Sequence, residues 1–249
     1  MRWLALSLLL LSTQLVAQRA VRFHGGLGVA GGSYNFDSDL SGFEDNATAG
    51  LLQAEFEVTN KNGIGGGFRY EYFATESDDG LFRDPTNAFD QGTQARSGTF
   101  LAHATFLVSH HRFRMPVRVG LLINGLTLDE DIATNPETSY LSAGPFFEVE
   151  PEITLVRAGA LEWSLYAQFG FGIAGTSIDV DGDFRDYDST SAFGMIEAGT
   201  RLHVGPANFG VAFIGRYHSI DRSDIESGSF IYGYDSNFQG VLISAGFSF

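Results

Sequence analysis

Three groups of residues in this 249-residue chain have the types and spacing to do chemistry. The first is His218-Ser219-Ile220-Asp221, followed by Ser223 and Asp224. A histidine beside an acid can activate water, and one near a serine can generate a nucleophile. Neighbours on a strand point to opposite faces, however, so His218 and Ser219 would not meet in regular β geometry. The expectation is a hydrogen-bonding histidine, not a catalytic one. The second group is Asp179, Asp181, Asp183, Asp186 and Asp188. Alternating aspartates can converge on a hard cation such as calcium, which takes about 6–8 oxygens. The run begins like an EF-hand loop, but Phe184 stands where glycine is needed and Thr190 where a bidentate glutamate belongs. A solvated acidic loop is expected, with a divalent cation at the external loops as the minority reading; no other cofactor is implied. The third group is a scatter of charges inside otherwise apolar stretches. Its acids are Glu55, Glu57, Glu71, Glu148, Glu150, Glu162 and Glu197, and its bases are Arg22, Arg69, Arg114, Arg118, Arg201, Arg216 and His103. Such charges can pair with one another in an interior, or line a path for ions.

The elements that carry these residues read as strands. Apolar residues alternate with polar or small ones, the period of two that marks a β-strand with one buried face. Val21, Phe23, Leu27 and Val29 alternate with Arg22, His24 and Gly26; Leu161, Trp163, Leu165, Ala167, Phe169, Phe171 and Ile173 form a seven-member face. Ten segments repeat the pattern, near 21–29, 52–58, 64–72, 100–108, 113–123, 141–149, 161–173, 192–204, 209–217 and 241–249. Tight turns are expected at 60–63, 109–112, 157–160 and 205–207, and longer polar loops near 36–48, 74–95, 126–138, 178–190 and 219–237. With an even strand count, both termini and the tight turns fall at one end and the long loops at the other.

Charge tests this register independently. The net charge is −15, and the five long segments hold all but eight of the 30 acidic residues. Those eight are the seven glutamates above and Glu152; all sit on the face opposite the apolar one, with the six arginines and with His24, His103, His203 and His218. A charge at a bilayer midplane costs up to about 2–4 kcal/mol, so these groups belong inside and the apolar faces outside, against lipid. A soluble barrel would reverse this, and its outer face would be poorly charged and rich in glycine, alanine and serine. Aromatics gather near both strand ends, as expected at lipid–water boundaries. Phe23, Phe106, Phe113, Trp163, Phe209 and Phe249 would line one rim, and Tyr72, Phe100, Tyr140, Phe171 and Tyr217 the other. In hydrocarbon every backbone polar group needs a partner, so the sheet must close. The fold class is therefore all-β, a closed antiparallel transmembrane β-barrel of ten strands, with eight as the alternative count.

The N-terminus reads as an address. Met1-Arg2, an apolar run over Leu4 to Leu11 and a small residue at Ala17 describe a secretory signal peptide over 1–17, leaving 18–249 as the barrel. The chain has no cysteine, so disulfides and thiolate metal sites are excluded.

The chain resembles the small Gram-negative outer-membrane β-barrel proteins, broadly the OmpA/OmpX-like and porin-family barrels. The most specific feature is the last strand, Gly240-Val241-Leu242-Ile243-Ser244-Ala245-Gly246-Phe247-Ser248-Phe249. In that family a final alternating strand ending in phenylalanine is read by the barrel assembly machinery, which makes Phe247 and Phe249 the implied assembly signal. The resemblance also implies a cell outer-membrane location with both termini periplasmic, and contacts with outer-membrane lipids and lipopolysaccharide. The strand count departs from the usual eight. No peptidoglycan-binding domain is expected after Phe249.

Wide aqueous channels need roughly 16–18 strands, so ten strands with a charged interior point to an occluded lumen. The expected role is structural or in surface interaction, with a narrow channel for small solutes or ions as the alternative. Among outer-membrane hydrolases, the ten-stranded omptin proteases carry acid and histidine pairs near the outer rim, and lipases a histidine-x-serine spacing. Tyr217-His218-Ser219 matches neither, so the chain is not expected to be an enzyme, with an omptin-like or lipase-like hydrolase as the distant alternative. The acidic loops exclude nucleic acid as a partner.

Overall fold

The computed structural model describes residues 21–38, 44–75, 93–130, 137–183, 185–225 and 228–249. The alternating segments become β1 (Val21–Ser38), β2 (Glu44–Asn60), β3 (Ile64–Thr75), β4 (Thr93–His110), β5 (Phe113–Glu130), β6 (Thr138–Val149), β7 (Glu152–Ala158), β8 (Leu161–Val180), β9 (Tyr187–Val204), β10 (Ala207–Ile220) and β11 (Tyr234–Ser248). All pairings are antiparallel, and β1 pairs with β11 over His24↔Ser248 to Ser38↔Tyr234, which closes the sheet. β6 and β7 both lie between β5 and β8. They are two halves of one stave, broken at Glu150-Pro151, so the wall has the ten staves that alternation predicts. Proline has no N–H for a ladder and is tolerated at such breaks. The Glu150 amide donates to Pro116 O and the Ala167 amide to Pro151 O, both at 3.0 Å, which holds the halves in the wall. The signal-peptide segment 1–17 lies outside the described residues.

The four tight turns stand where expected. Gly63, Gly159 and Gly205 take positive φ (77°, 62° and 61°). At Gly63 the demand is also steric, because a Cβ would meet Leu107 O at 2.8 Å. His111 is the non-glycine exception, with φ 51°.

Two expectations change. Pairing continues into segments read as loops: β1 runs to Ser38, β5 to Glu130 and β8 to Val180. At ~3.3 Å per residue a 20-residue strand extends about 65 Å, well beyond an apolar band of about 25 Å even when tilted. The outer parts of these strands face water, where polar side chains suit an outward face. The second change is the interior. Leu27, Leu121 and Ile243 are 70%, 63% and 60% exposed on the outside, while Arg69 and Glu148 are 3% and 1% exposed within, as the charge argument requires. Yet the interior is ionic only in the half nearer the tight turns. Along β2 the inward residues run Glu57, Glu55, Gln53, Leu51, Ala49 and Ala47. The half nearer the long loops is an apolar core that includes Tyr34, Phe36, Phe73, Tyr187, Ile214, Tyr234, Phe238 and Leu242. Tyr140, expected in the outer aromatic girdle, belongs to this core and meets Tyr234 edge-on, with 5.3 Å between ring centroids. Leu141, next in sequence, takes the outward position at 59% exposure.

Candidate functional site

The candidate site is the filled lumen. The charges of the third group come from staves on opposite sides and meet across the axis. Arg69 on β3 donates to Glu148 on β6 at 2.7 Å. Glu148 also accepts from Arg118 on β5, which in turn reaches Glu57 on β2 at 2.8 Å and Glu150 at 2.7 Å. Arg201 on β9 bridges Glu150 (2.9 Å) and Glu152 (3.1 Å), and Arg114 donates to Glu152 at 2.8 Å. Arg216 on β10 clamps Glu71 on β3 with two bonds of 2.9 and 2.8 Å and lies 3.7 Å from Glu197. Glu55 is held by His24 at 2.8 Å and lies 3.7 Å from Arg69; His103 stands 3.4 Å from Glu57.

Two of the expected network residues stay outside it. Glu162 pairs within its own hairpin, accepting from Arg157 at 2.7 Å and from Thr154 at 2.7 Å. Arg22 is exposed at the tight-turn mouth. Other members are polar groups whose role alternation does not reveal. Tyr166 donates to Glu197 at 2.6 Å and lies under the Arg201 guanidinium, 4.2 Å from its ring centroid. Thr105 donates to Glu57 at 3.0 Å. The face of each was legible; the partner was not, because it depends on register and on which staves face each other.

The network divides the interior. On the tight-turn side is a mouth of about 450 Å³, and on the long-loop side a cavity of about 80 Å³ bounded by Phe73, Leu122, Phe193 and Phe238, with Glu71 and Arg216 at its floor. Gly170 shows how tightly the middle is filled: a Cβ there would meet Met195 Cγ at 2.4 Å and Phe146 Cζ at 2.9 Å.

The other two groups are dispersed. His218 points inward and stacks on Phe193, its cross-strand neighbour, with centroids 4.1 Å apart. Tyr217 donates outward to Asp235 at 2.8 Å, and Asp221 accepts from Thr190. His218, Ser219 and Asp221 therefore form no hydrogen-bonded chain. The aspartate run turns through Gly182 between β8 and β9. Both oxygens of Asp183 are engaged, by Arg185 Nε and by the Tyr187 hydroxyl, each at 2.9 Å. Its carboxyl is held below the usual range: desolvation, which would raise it, is outweighed together by the Tyr187 hydroxyl and by the side chain and backbone N–H of Arg185. Among the described residues no group of three or more His, Asp or Glu side chains is arranged to hold a metal ion. Phe247 and Phe249 stack at 5.2 Å on the closing seam, where the Phe249 amide donates to Phe23 O at 3.0 Å.

No protein-family model matches the chain, and no curated protein does. Solved structures do. The outer-membrane protease OmpT of Escherichia coli overlays with a TM-score of 0.56 at 10% identity, covering 92% of this chain and 97% of that one. The translocator domain of the autotransporter NalP of Neisseria meningitidis gives 0.41 at 7% identity, covering 99% and 97%. The Pseudomonas putida toluene transporter TodX gives 0.34 at 8% identity, covering 91% and 89%. At these identities the overlay speaks to architecture, not to activity. A closed wall of ten antiparallel staves, apolar outside and ionic within, that overlays OmpT over nearly its whole length has the fold of the small Gram-negative outer-membrane β-barrels.

Proposed function

We propose that this protein is an outer-membrane barrel with a permanently occluded lumen, acting as a structural or surface-interaction component through its acidic long-loop end. The observation that carries this reading is the filling of the lumen in two layers, the ion-pair network below and the aromatic core above. Either alone narrows a ten-stave barrel; together they leave cavities on the two sides rather than a bore. The tight turns and termini would face the periplasm, and Phe247 and Phe249 would serve the assembly machinery. The acidic loops would meet cations, basic surfaces, or lipopolysaccharide phosphates bridged by divalent ions. Planar-bilayer recording of the refolded protein tests the occlusion. Silence across a range of voltages is expected, and steady steps of reproducible size would overturn it.

A narrow ion path is the second reading, favoured by cavities on both sides of the ionic layer, one reaching Glu71 and Arg216 and the other Arg118 and Glu150. The same recording decides between the two. An omptin-like or lipase-like hydrolase is the distant reading; among the described residues His218 stacks on Phe193 and shares no hydrogen-bonded chain with Ser219 or Asp221.

A further inference from the structure

The tight-turn mouth differs from the rest of the lumen in its charge balance. Arg22, Arg114, Arg118, Arg157 and Arg201 line it against Glu57, Glu150 and Glu152. Those three carboxylates are spent on Arg118, Arg201 and Arg114. Arg157 pairs with Glu162, so four of the five guanidiniums are engaged; Arg22 is left over, and Arg114 is only partly used. Arg22 lies on the inward face of β1 and makes no ion pair among the described residues. Arg114 uses one nitrogen on Glu152 and is 37% exposed. Deeper in, His203 Nε2 is buried and has no hydrogen-bond partner; Glu152 Oε1 lies 3.6 Å from it. That nitrogen has Glu152 at ion-pair distance but no hydrogen bond, and a rim with one unpaired and one half-used guanidinium suits a ligand that brings acceptor oxygens, because an unmade buried hydrogen bond costs on the order of 1–3 kcal/mol. Guanidiniums are the preferred donors to phosphate and carboxylate, which they can grip with two parallel bonds. The opposite end of the barrel carries the acidic segments, so an anion is drawn to this mouth and repelled from the other.

We infer that the tight-turn mouth is an anion-binding vestibule for a phosphate- or carboxylate-bearing group, held by Arg22 and Arg114 at the rim with His203 and Arg201 beneath. Its volume, about 450 Å³, admits a small anion or the head of an anionic lipid, and not a folded protein. This inference does not depend on whether the lumen conducts.

The test uses the full barrel refolded in zwitterionic detergent, with inorganic phosphate titrated calorimetrically as the free-anion arm. In the lipid arm, nanodiscs of zwitterionic lipid containing phosphatidylglycerol are used, and co-purified anionic lipid is counted by native mass spectrometry. Arg22→Gln removes a charge that makes no ion pair among the described residues, and Lys61→Gln removes one from the exposed β2–β3 turn outside the mouth. Saturable binding in one or both arms is expected, weakened about fivefold or more by Arg22→Gln, the effect of one lost charge near contact in water, and unchanged by Lys61→Gln. The arm that responds identifies the source of the anion. Absence of saturable binding in both arms overturns the inference, as does equal weakening by both variants, which would mean diffuse surface charge. Retention of the fast-migrating band on unheated gels verifies that each variant is a closed barrel.

Discussion

Glu148 is the residue on which the ionic layer turns. It is 1% exposed and accepts from two guanidiniums that come from different staves. Ion pairs of this kind add little net stability over an apolar filling, but removing one partner strands the other in a medium that cannot solvate it, at about 3–5 kcal/mol. Glu148→Gln keeps the shape and deletes the charge. We expect it to lower the unfolding free energy by about 3 kcal/mol in urea titrations of the detergent-folded barrel. Arg69→Met in the same background should recover part of that loss, because it removes one of the two stranded guanidiniums; among the described residues Arg69 otherwise reaches Glu55, at 3.7 Å, and Met195. A strictly additive double variant would show that the two side chains are not coupled.

At the scale of elements, the closing seam between β1 and β11 sets a steric condition of its own. The Phe247 ring lies across Gly25: a Cβ at Gly25 would stand 2.8 Å from the ring's Cζ and within 3.3 Å of both neighbouring carbons. Gly31, six residues further along the same strand, has nothing within 4 Å of the corresponding position. Gly25→Val should therefore cost about 1–3 kcal/mol by displacing the ring, while Gly31→Val should change stability by less than about 0.5 kcal/mol. The midpoint of heat-induced gel-shift compares the two directly. The staves themselves were legible in sequence, because lipid outside and charge inside make the two faces of a strand chemically opposite. Legibility failed where the interior turns apolar. Tyr34, Phe36, Leu128 and Phe238 face inward between polar outward neighbours, so the alternation inverts in the long-loop half, and Tyr140 takes the inward face there instead of the outer girdle. Strand ends were also read short. Beyond the bilayer the outward positions turn polar, and a paired strand with polar outward residues looks like a loop.

As a whole molecule, the barrel is a polar object: acidic segments crowd one end, and the other ends in tight turns carrying Lys61, Arg112 and Arg157. The ionic layer lies between, nearer the basic end. Arg22, unpaired among the described residues, stands at the basic end of this gradient. The gradient gives the molecule a direction that chemistry can read. Lys61 is the chain's sole lysine, and it stands exposed on the β2–β3 turn. An amine-reactive dye that does not cross lipid should leave this protein unmarked on intact cells and tag it as soon as the envelope is breached. Tagging on intact cells would mean that the basic end faces the surroundings, and the barrel would have to be turned over.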